Sequence, residues 1–323
     1  MTRMLRALAA LALLPALGLA AGCTDTAVAP GVGATAQTTD ALTLLPASAD
    51  MVGMMDFQAA RGSAALDAMT GGAGLGFMSG GGSQDFDTFV RQTGFDPDTD
   101  LDRVYVAASE GGPRAAFVAY GRFDRDRIEQ YVAGQPDLDL TATDVEGVPV
   151  YLAKSDDGGR GGFALVNDQM VLGGDEATLG QMIRRLGTAG QAPSAELQAL
   201  LDRVQHPDGA WFVARGLDRL GAELPPDAPP AALAARAADG VVLSMAFGDD
   251  GVPVRAFVVT RAGTDTGDVA DALRGGIAAA KMGVKDEPAA LDVLDRATVE
   301  PRDGGVEVDA FLTTAFLNAA RAD

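Results

Sequence analysis

Histidine, cysteine, lysine and the large aromatics are all scarce in this chain of 323 residues, and each scarcity removes a class of function. One histidine, His206, and one cysteine, Cys23, leave no set of nitrogen and sulfur ligands for zinc or iron centres of the usual kind. Nucleophilic and acid–base sites draw on histidine or on a tuned carboxylate pair. His206 stands in His206-Pro207-Asp208-Gly209, which reads as a turn between a helix and a strand. The glycine-flanked serine of a hydrolase elbow is missing too, since Ser79 lies in FMSGG and Ser83 in GGSQD.

Positive charge is equally thin, with 25 basic residues against 45 acidic ones and a net charge of −20. Such a field repels nucleic acid, so no nucleic-acid partner is expected. Lys154, Lys281 and Lys285 are the lysines, and the arginine and aspartate bias is that of GC-rich and salt-adapted bacterial proteomes. Aromatics make up 6% of a chain that is 47% hydrophobic, so alanine and glycine supply much of the apolar content and the core should be rich in small residues. Long apolar runs are lacking. Ala7 to Leu14 stops at Pro15, well short of the roughly 20 residues that a membrane span needs.

What that run does have is the build of a secretory signal, with Arg3 and Arg6 ahead of it and small residues after it. Leu19 to Cys23, LAAGC, resembles the lipobox of bacterial lipoproteins, with Ala20 where leucine is commonest. The resemblance implies cleavage between Gly22 and Cys23 and acylation of Cys23, with palmitate-like chains that hold the protein to a membrane. A cysteine with no disulfide partner in the chain fits that fate. Thr24 follows it, and in Gram-negative lipoproteins a residue other than aspartate there favours the outer membrane. The expected location is therefore the cell envelope.

Thr24 to Ala41 is polar and small without an apolar face, and reads as a tether of about 25 Å root-mean-square span. From Leu42 the hydrophobic period alternates between 2 and 3.6, and the order of elements occurs twice. The expected organisation is a signal peptide over 1–22, an acylated N-terminus and tether over 23–41, and α+β halves over 42–193 and 194–323. In the first half we expect a strand at Met51 to Phe57, helices near Ala59 to Met69 and Ser83 to Thr93, and two strands around Glu110 to Pro113. A helix capped by Asp124, strands VPVYLAK, FALV and MVLG, and a helix bearing Leu179, Met182, Ile183 and Leu186 complete it. In the second, a helix over Ser194 to Val204 precedes GAWFVARG, a helical stretch broken at Pro225 to Pro230, and two long strands. A helix over Thr266 to Met282, two short strands around Asp303-Gly304 and a helix with Phe316 close the chain. Gly275 and Gly276 inside a helix suggest close packing or a break.

Strand, helix, two strands, helix and strand is the split βαβ, ferredoxin-like plan, and two such halves, each an antiparallel sheet with helices on one face, are the expected fold. GFDPDTDLDRV and the repeated plan resemble exported bacterial proteins with tandem α+β halves, a likeness that implies no activity.

Three features invite chemistry. Asp96, Asp98 and Asp100 alternate as calcium ligands do, yet Leu101 holds the place where an EF-hand needs glycine, and aspartates also turn a chain. Met51, Met54 and Met55 would suit a soft metal or simply fill a core. Gly71 to Gly82 carries seven glycines in twelve residues without a Walker or dinucleotide pattern, and Leu75, Phe77 and Met78 within it would serve a lid or a partner contact. No cofactor is expected. The leading expectation is a non-catalytic envelope protein that binds or scaffolds a protein or small ligand. A lipid or small-ligand carrier at the membrane and a divalent-ion-dependent enzyme are the other readings.

Overall fold

A computed structural model describes residues 37–70, 84–109, 115–134, 140–154, 158–206, 208–217 and 230–322. Gly22, Cys23 and the Gly71 to Gly82 segment lie outside the described residues. The chain divides into two compact units: the N-terminal unit takes the described residues up to Arg61 and from Ala73 to Ala195, and the C-terminal unit takes Gly62–Gly72 and Glu196 onward.

The N-terminal unit opens with α1 (Gln37–Leu44), β1 (Met51–Asp56) and α2 (Phe57–Ala60). Helix α1 begins inside the segment expected to be a tether, and buried Ala41 and Leu44 hold it to the body. In the C-terminal unit, α3 (Ala64–Thr70) starts at the buried Ser63, whose hydroxyl accepts the Leu66 amide at 3.1 Å. The single helix expected from Ala59 is thus two, parted at Gly62, whose φ of 75° no other residue type adopts easily.

After these come α4 (Gln84–Thr93), α5 (Pro97–Asp100), β2 (Leu101–Ala108), β3 (Ala116–Gly121), α6 (Arg125–Ala133), β4 (Thr141–Val145), β5 (Val148–Lys154), β6 (Arg160–Asn167), β7 (Met170–Asp175) and α7 (Glu176–Arg185). The remainder is α8 (Ala195–Leu201), β8 (Ala210–Arg215), α9 (Pro230–Ala237), β9 (Ala238–Met245), β10 (Gly251–Thr260), α10 (Thr266–Gly283), α11 (Pro288–Arg296), β11 (Thr298–Arg302), β12 (Gly305–Thr313) and α12 (Thr314–Ala322).

The N-terminal strands are ordered β1-β2-β3-β7-β6-β5-β4. Antiparallel register puts Val52, Met54, Tyr105, Val118, Leu172, Ala164 and Val150 on one face, all buried. Helix α7 contacts this sheet and buries Leu179, Met182 and Ile183. The other face carries Phe117, Val171, Leu165, Phe163 and Tyr151, packed against Phe89 and Phe95 at α4 and Phe123 and Ile128 at α6. Each large side chain so buried stabilises the unit by about 1.5–3 kcal/mol. Phe117 lies across Gly173, where a Cβ would stand 1.8 Å from its ring.

The C-terminal strands are ordered β11-β12-β10-β9-β8. Val252, Val254, Val258, Val306, Val308 and Leu312 share one face with α3, α9, α10, α11 and α12 in two apolar clusters. On the opposite face Leu200 of α8 packs over Gly240, and the Arg203 guanidinium lies 4.3 Å from the Phe257 ring centre.

The α+β class, with antiparallel sheets and packed helices, agrees with the sequence. Helix placement and strand order do not follow the expected plan. Helices reach both faces of each sheet, and the buried runs Phe163-Ala164-Leu165 and Val241-Val242-Leu243 are the reason, because a strand buried on both faces needs apolar residues in succession. In place of a split βαβ order, the first three strands of each sheet pair antiparallel in sequence order, although helices intervene between β1 and β2 and between β8 and β9. The last strand of each later run, β7 or β12, then docks beside the third. Helix α10 runs unbroken through Gly275 and Gly276; a Cβ on Gly275 would meet nothing within 4 Å, so close packing does not account for that glycine.

Candidate functional site

A cleft of about 490 Å³ opens in the N-terminal unit where the end of α4, the α5 turn, the start of α6 and the β6–β7 turn converge. Its floor is apolar, made by the buried Phe95, Phe123 and Ile128. Its rim is charged, with Arg122, Arg125 and Arg127 set among Asp100, Asp124, Asp126 and Asp168.

Local structure fixes each cation. Asp124 caps α6, accepting the Arg127 amide on Oδ1 at 3.1 Å while its Oδ2 stands 3.2 Å from Arg127 Nε. One turn along, Arg125 Nε donates to Glu129 Oε1 at 2.8 Å, and that bond, opposed by partial burial, leaves the Arg125 pKa raised. Arg122 donates from Nε to Asp100 Oδ1 at 2.9 Å and from Nη2 to the Thr99 carbonyl. The Asp168 carbonyl accepts the Phe123 amide at 2.9 Å and so ties the β6–β7 turn to the cleft. Gly94, with φ 73°, completes the wall: a Cβ there would meet Arg127 Nη1 at 2.6 Å.

With all three arginines held internally, the cleft offers fixed apolar contact and a small surplus of carboxylate, from Asp126 and Asp168. Thr93 donates its hydroxyl to the Phe89 carbonyl at 2.8 Å and accepts the Phe95 amide at 3.3 Å, a structural use of the group. Sequence reasoning used Asp124 only as a cap and missed the cleft. Three arginines among the six residues of Arg122 to Arg127, in a chain this acidic, were the available signal.

Of the candidate calcium ligands Asp100 lines the cleft, and the Asp96 and Asp100 carboxylates serve the chain itself. Asp96 caps α5 by accepting the Asp98 amide at 3.0 Å, and Asp100 accepts the Asp96 amide at 2.9 Å besides pairing with Arg122. Among the described residues, no group of three or more histidine, cysteine, aspartate or glutamate side chains is placed to hold a metal ion. The methionines do not converge: Met54 is buried on one face of β1, while Met51 and Met55 lie half-buried on the other. At His206 the carbonyl accepts the Gly209 amide at 3.3 Å, as the expected turn requires.

No family model matches the chain, and no curated protein does. Among solved structures it is similar to several crystal forms of a protein designated TP0453. Form I aligns with a TM-score of 0.50 at 9% identity, covering 88% of this chain and 96% of that one. Form III gives 0.51 at 9% over 88% and 98%, and form IV gives 0.50 at 8% over 89% and 100%. At such identity the likeness is one of fold.

Proposed function

We propose that the chain is a lipid-anchored protein of the cell envelope that binds a partner without catalysis, using the cleft beside α6 as a contact site. The observation that carries the binding reading is the preformed floor of the cleft. Phe95, Phe123 and Ile128 are packed in the core of their own unit, so little side-chain freedom is lost when something docks there, while Arg122, Arg125 and Arg127 form a charged rim. The anchoring reading rests on LAAGC at Leu19 to Cys23, and Thr24 favours the outer membrane. Within the described residues no helix is long and apolar enough to cross a membrane.

Palmitate labelling of the wild type and of Cys23→Ser tests the anchor: label and membrane association should be lost together in the variant, and a labelled or membrane-bound Cys23→Ser protein sinks it. Affinity capture from native membranes with the wild type and with Asp168→Arg tests the cleft. Partners retained in full by a folded Asp168→Arg protein would remove the cleft from the reading.

A further inference from the structure

The outer strands β4 and β11 end their sheets in comparable ways, each the first arm of a hairpin closed by a two-residue turn. In β4 the turn is Glu146-Gly147, with φ of 52° and 84°, and Val145 stands opposite Val148. A two-residue turn closes on a hydrogen-bonded pair, and bonding alternates from there. Thr141, Thr143 and Val145 therefore bond to β5, and the amides and carbonyls of Ala142 and Asp144 point away from the sheet. In β11 the closing pair is Arg302 and Gly305, so Val299 and Pro301 are the residues that point away.

The two outward edges differ in one decisive respect. At β11, Pro301 has no N–H to offer, and the outward Val299 carbonyl is taken by Arg274 Nη2 at 2.6 Å. Those are two of the devices by which proteins close a sheet edge to further strands: a proline at the outward position and a covering group. At β4 the position corresponding to Pro301 is Asp144, whose outward amide and carbonyl meet no backbone partner among the described residues. Ala142 and Asp144 have no backbone hydrogen bond among the described residues besides those of the sheet, and Thr141 to Asp144 are all exposed. This edge has no proline, no lysine and no register shift.

We propose that β4 is a strand-addition site that receives an extended, basic segment of a partner protein. Main-chain bonds to Ala142 and Asp144 supply the affinity in this mode of recognition, and side chains alternating along the added strand supply the choice of partner. The charge sets that choice. Asp144 and Glu146 are exposed at the strand's end, Asp144 Oδ1 being fixed by the Gly147 amide at 2.9 Å, and the whole chain carries −20. Lysine or arginine on the incoming strand meets these carboxylates. A second copy of β4 would instead bring two Asp144 and two Glu146 carboxylates into one short ribbon between molecules of net charge −20, which disfavours self-pairing. The site lies apart from the cleft beside α6, so it stands or falls without the binding reading given above.

The test uses the full chain and a synthetic strand of about seven residues alternating lysine with threonine, a length typical of added strands. Binding is read by fluorescence anisotropy and by hydrogen exchange of the 141–145 segment. Expected are saturable binding, slowed exchange in that segment, and a loss of about tenfold or more in affinity for Ala142→Pro, which removes an outward donor but no β4–β5 bond. The same peptide N-methylated on alternate amides should fail against the unaltered protein, which keeps the test sharp even where Ala142→Pro does not fold. Asp144→Asn, which keeps the bond to Gly147, should weaken binding severalfold. Equal binding of a glutamate–threonine peptide, full binding of the N-methylated peptide, protection confined to other segments, or self-association that protects β4 without peptide would each overturn the proposal.

Discussion

Arg103 and Asp56 stand opposite each other in the β1–β2 ladder, and the arginine Nε donates to Asp56 Oδ2 at 3.0 Å while Oδ1 of the same carboxylate accepts the Ala59 amide at 2.8 Å. One buried carboxylate thus ends a strand, caps α2 and neutralises a cation. Burial depresses the Arg103 pKa, but the bond to the Asp56 carboxylate and the contact with Tyr105 outweigh it, and the net shift is upward. Asp56→Ala should lower unfolding free energy by about 2–4 kcal/mol, because it deprives a half-buried guanidinium of its carboxylate and leaves a helix uncapped. The double variant Asp56→Ala, Arg103→Met should recover part of that loss in urea denaturation. A double variant less stable than Asp56→Ala would contradict the account.

Arg185 ties the end of α7 to the end of α1, donating from Nη1 to the carbonyls of Leu44 and Leu45 at 2.9 and 2.8 Å. Burial lowers its pKa, so the guanidinium bears a desolvation cost that these carbonyls offset. Arg185→Met should cost about 1–3 kcal/mol and accelerate hydrogen exchange in Gln37–Leu44 more than elsewhere. Uniform acceleration across the unit would show that the contact does not hold α1 in particular.

Tyr151 stacks on Phe163 with ring centres 5.2 Å apart, and its pKa is raised above 10.0 by burial first and the Glu129 carboxylate second, with Arg125 opposing. The folded value lies above the unfolded one, so the folded chain holds this proton more tightly. The stability that results is fully present below the ordinary tyrosine range and fades as pH rises through the folded value. Alkaline difference spectra should therefore contain a late-ionising component that Tyr151→Phe diminishes, and the same variant should flatten the alkaline decline in stability. A late component that persists in Tyr151→Phe belongs to another ring.

Gly94 carries φ 73° beside Arg127. Gly94→Ala should cost about 1–2 kcal/mol through backbone conformation, because the guanidinium is the far end of a flexible chain and can give way. Thermal melting reads the cost. If Arg127→Ala restored the stability of Gly94→Ala in full, side-chain collision and not φ would be the cause.

Elements with a plain period were legible in the sequence. Helix α7 shows Leu179, Met182 and Ile183 on one stripe, α10 shows Val269, Leu273 and Ile277, and Asp124 announced its helix as a cap; all are placed as read. Strand β4 was invisible because it is an edge, and Thr-Ala-Thr-Asp, exposed throughout, has no apolar alternation to find. Helix α11 was overlooked although Ala290, Val293 and Leu294 fall at helical spacing behind Pro288, a residue suited to a first helical turn.

The cleft was less legible for a different reason. Arg122 to Arg127 advertises charge, but the partners that make it a site, Asp100, Glu129 and the Asp168 turn, come from distant or separate elements, and only the fold brings them together. Strand order was hidden in the same way. Hydrophobic period tells which residues face inward and says nothing of whether β3 will find β4 or β7.

That choice governs how the N-terminal sheet assembles. Strands β4, β5, β6 and β7 follow one another through short turns and pair in succession, so they can fold as a local ribbon soon after synthesis. Strand β3 pairs with the far end of that ribbon, Phe117 meeting Gly173 across a loop that encloses all of it. Closing so long a loop carries an entropic cost, and a chain cut anywhere before β7 leaves β3 with β2 as its one neighbour, and Phe117 without the flat bed on which its ring rests.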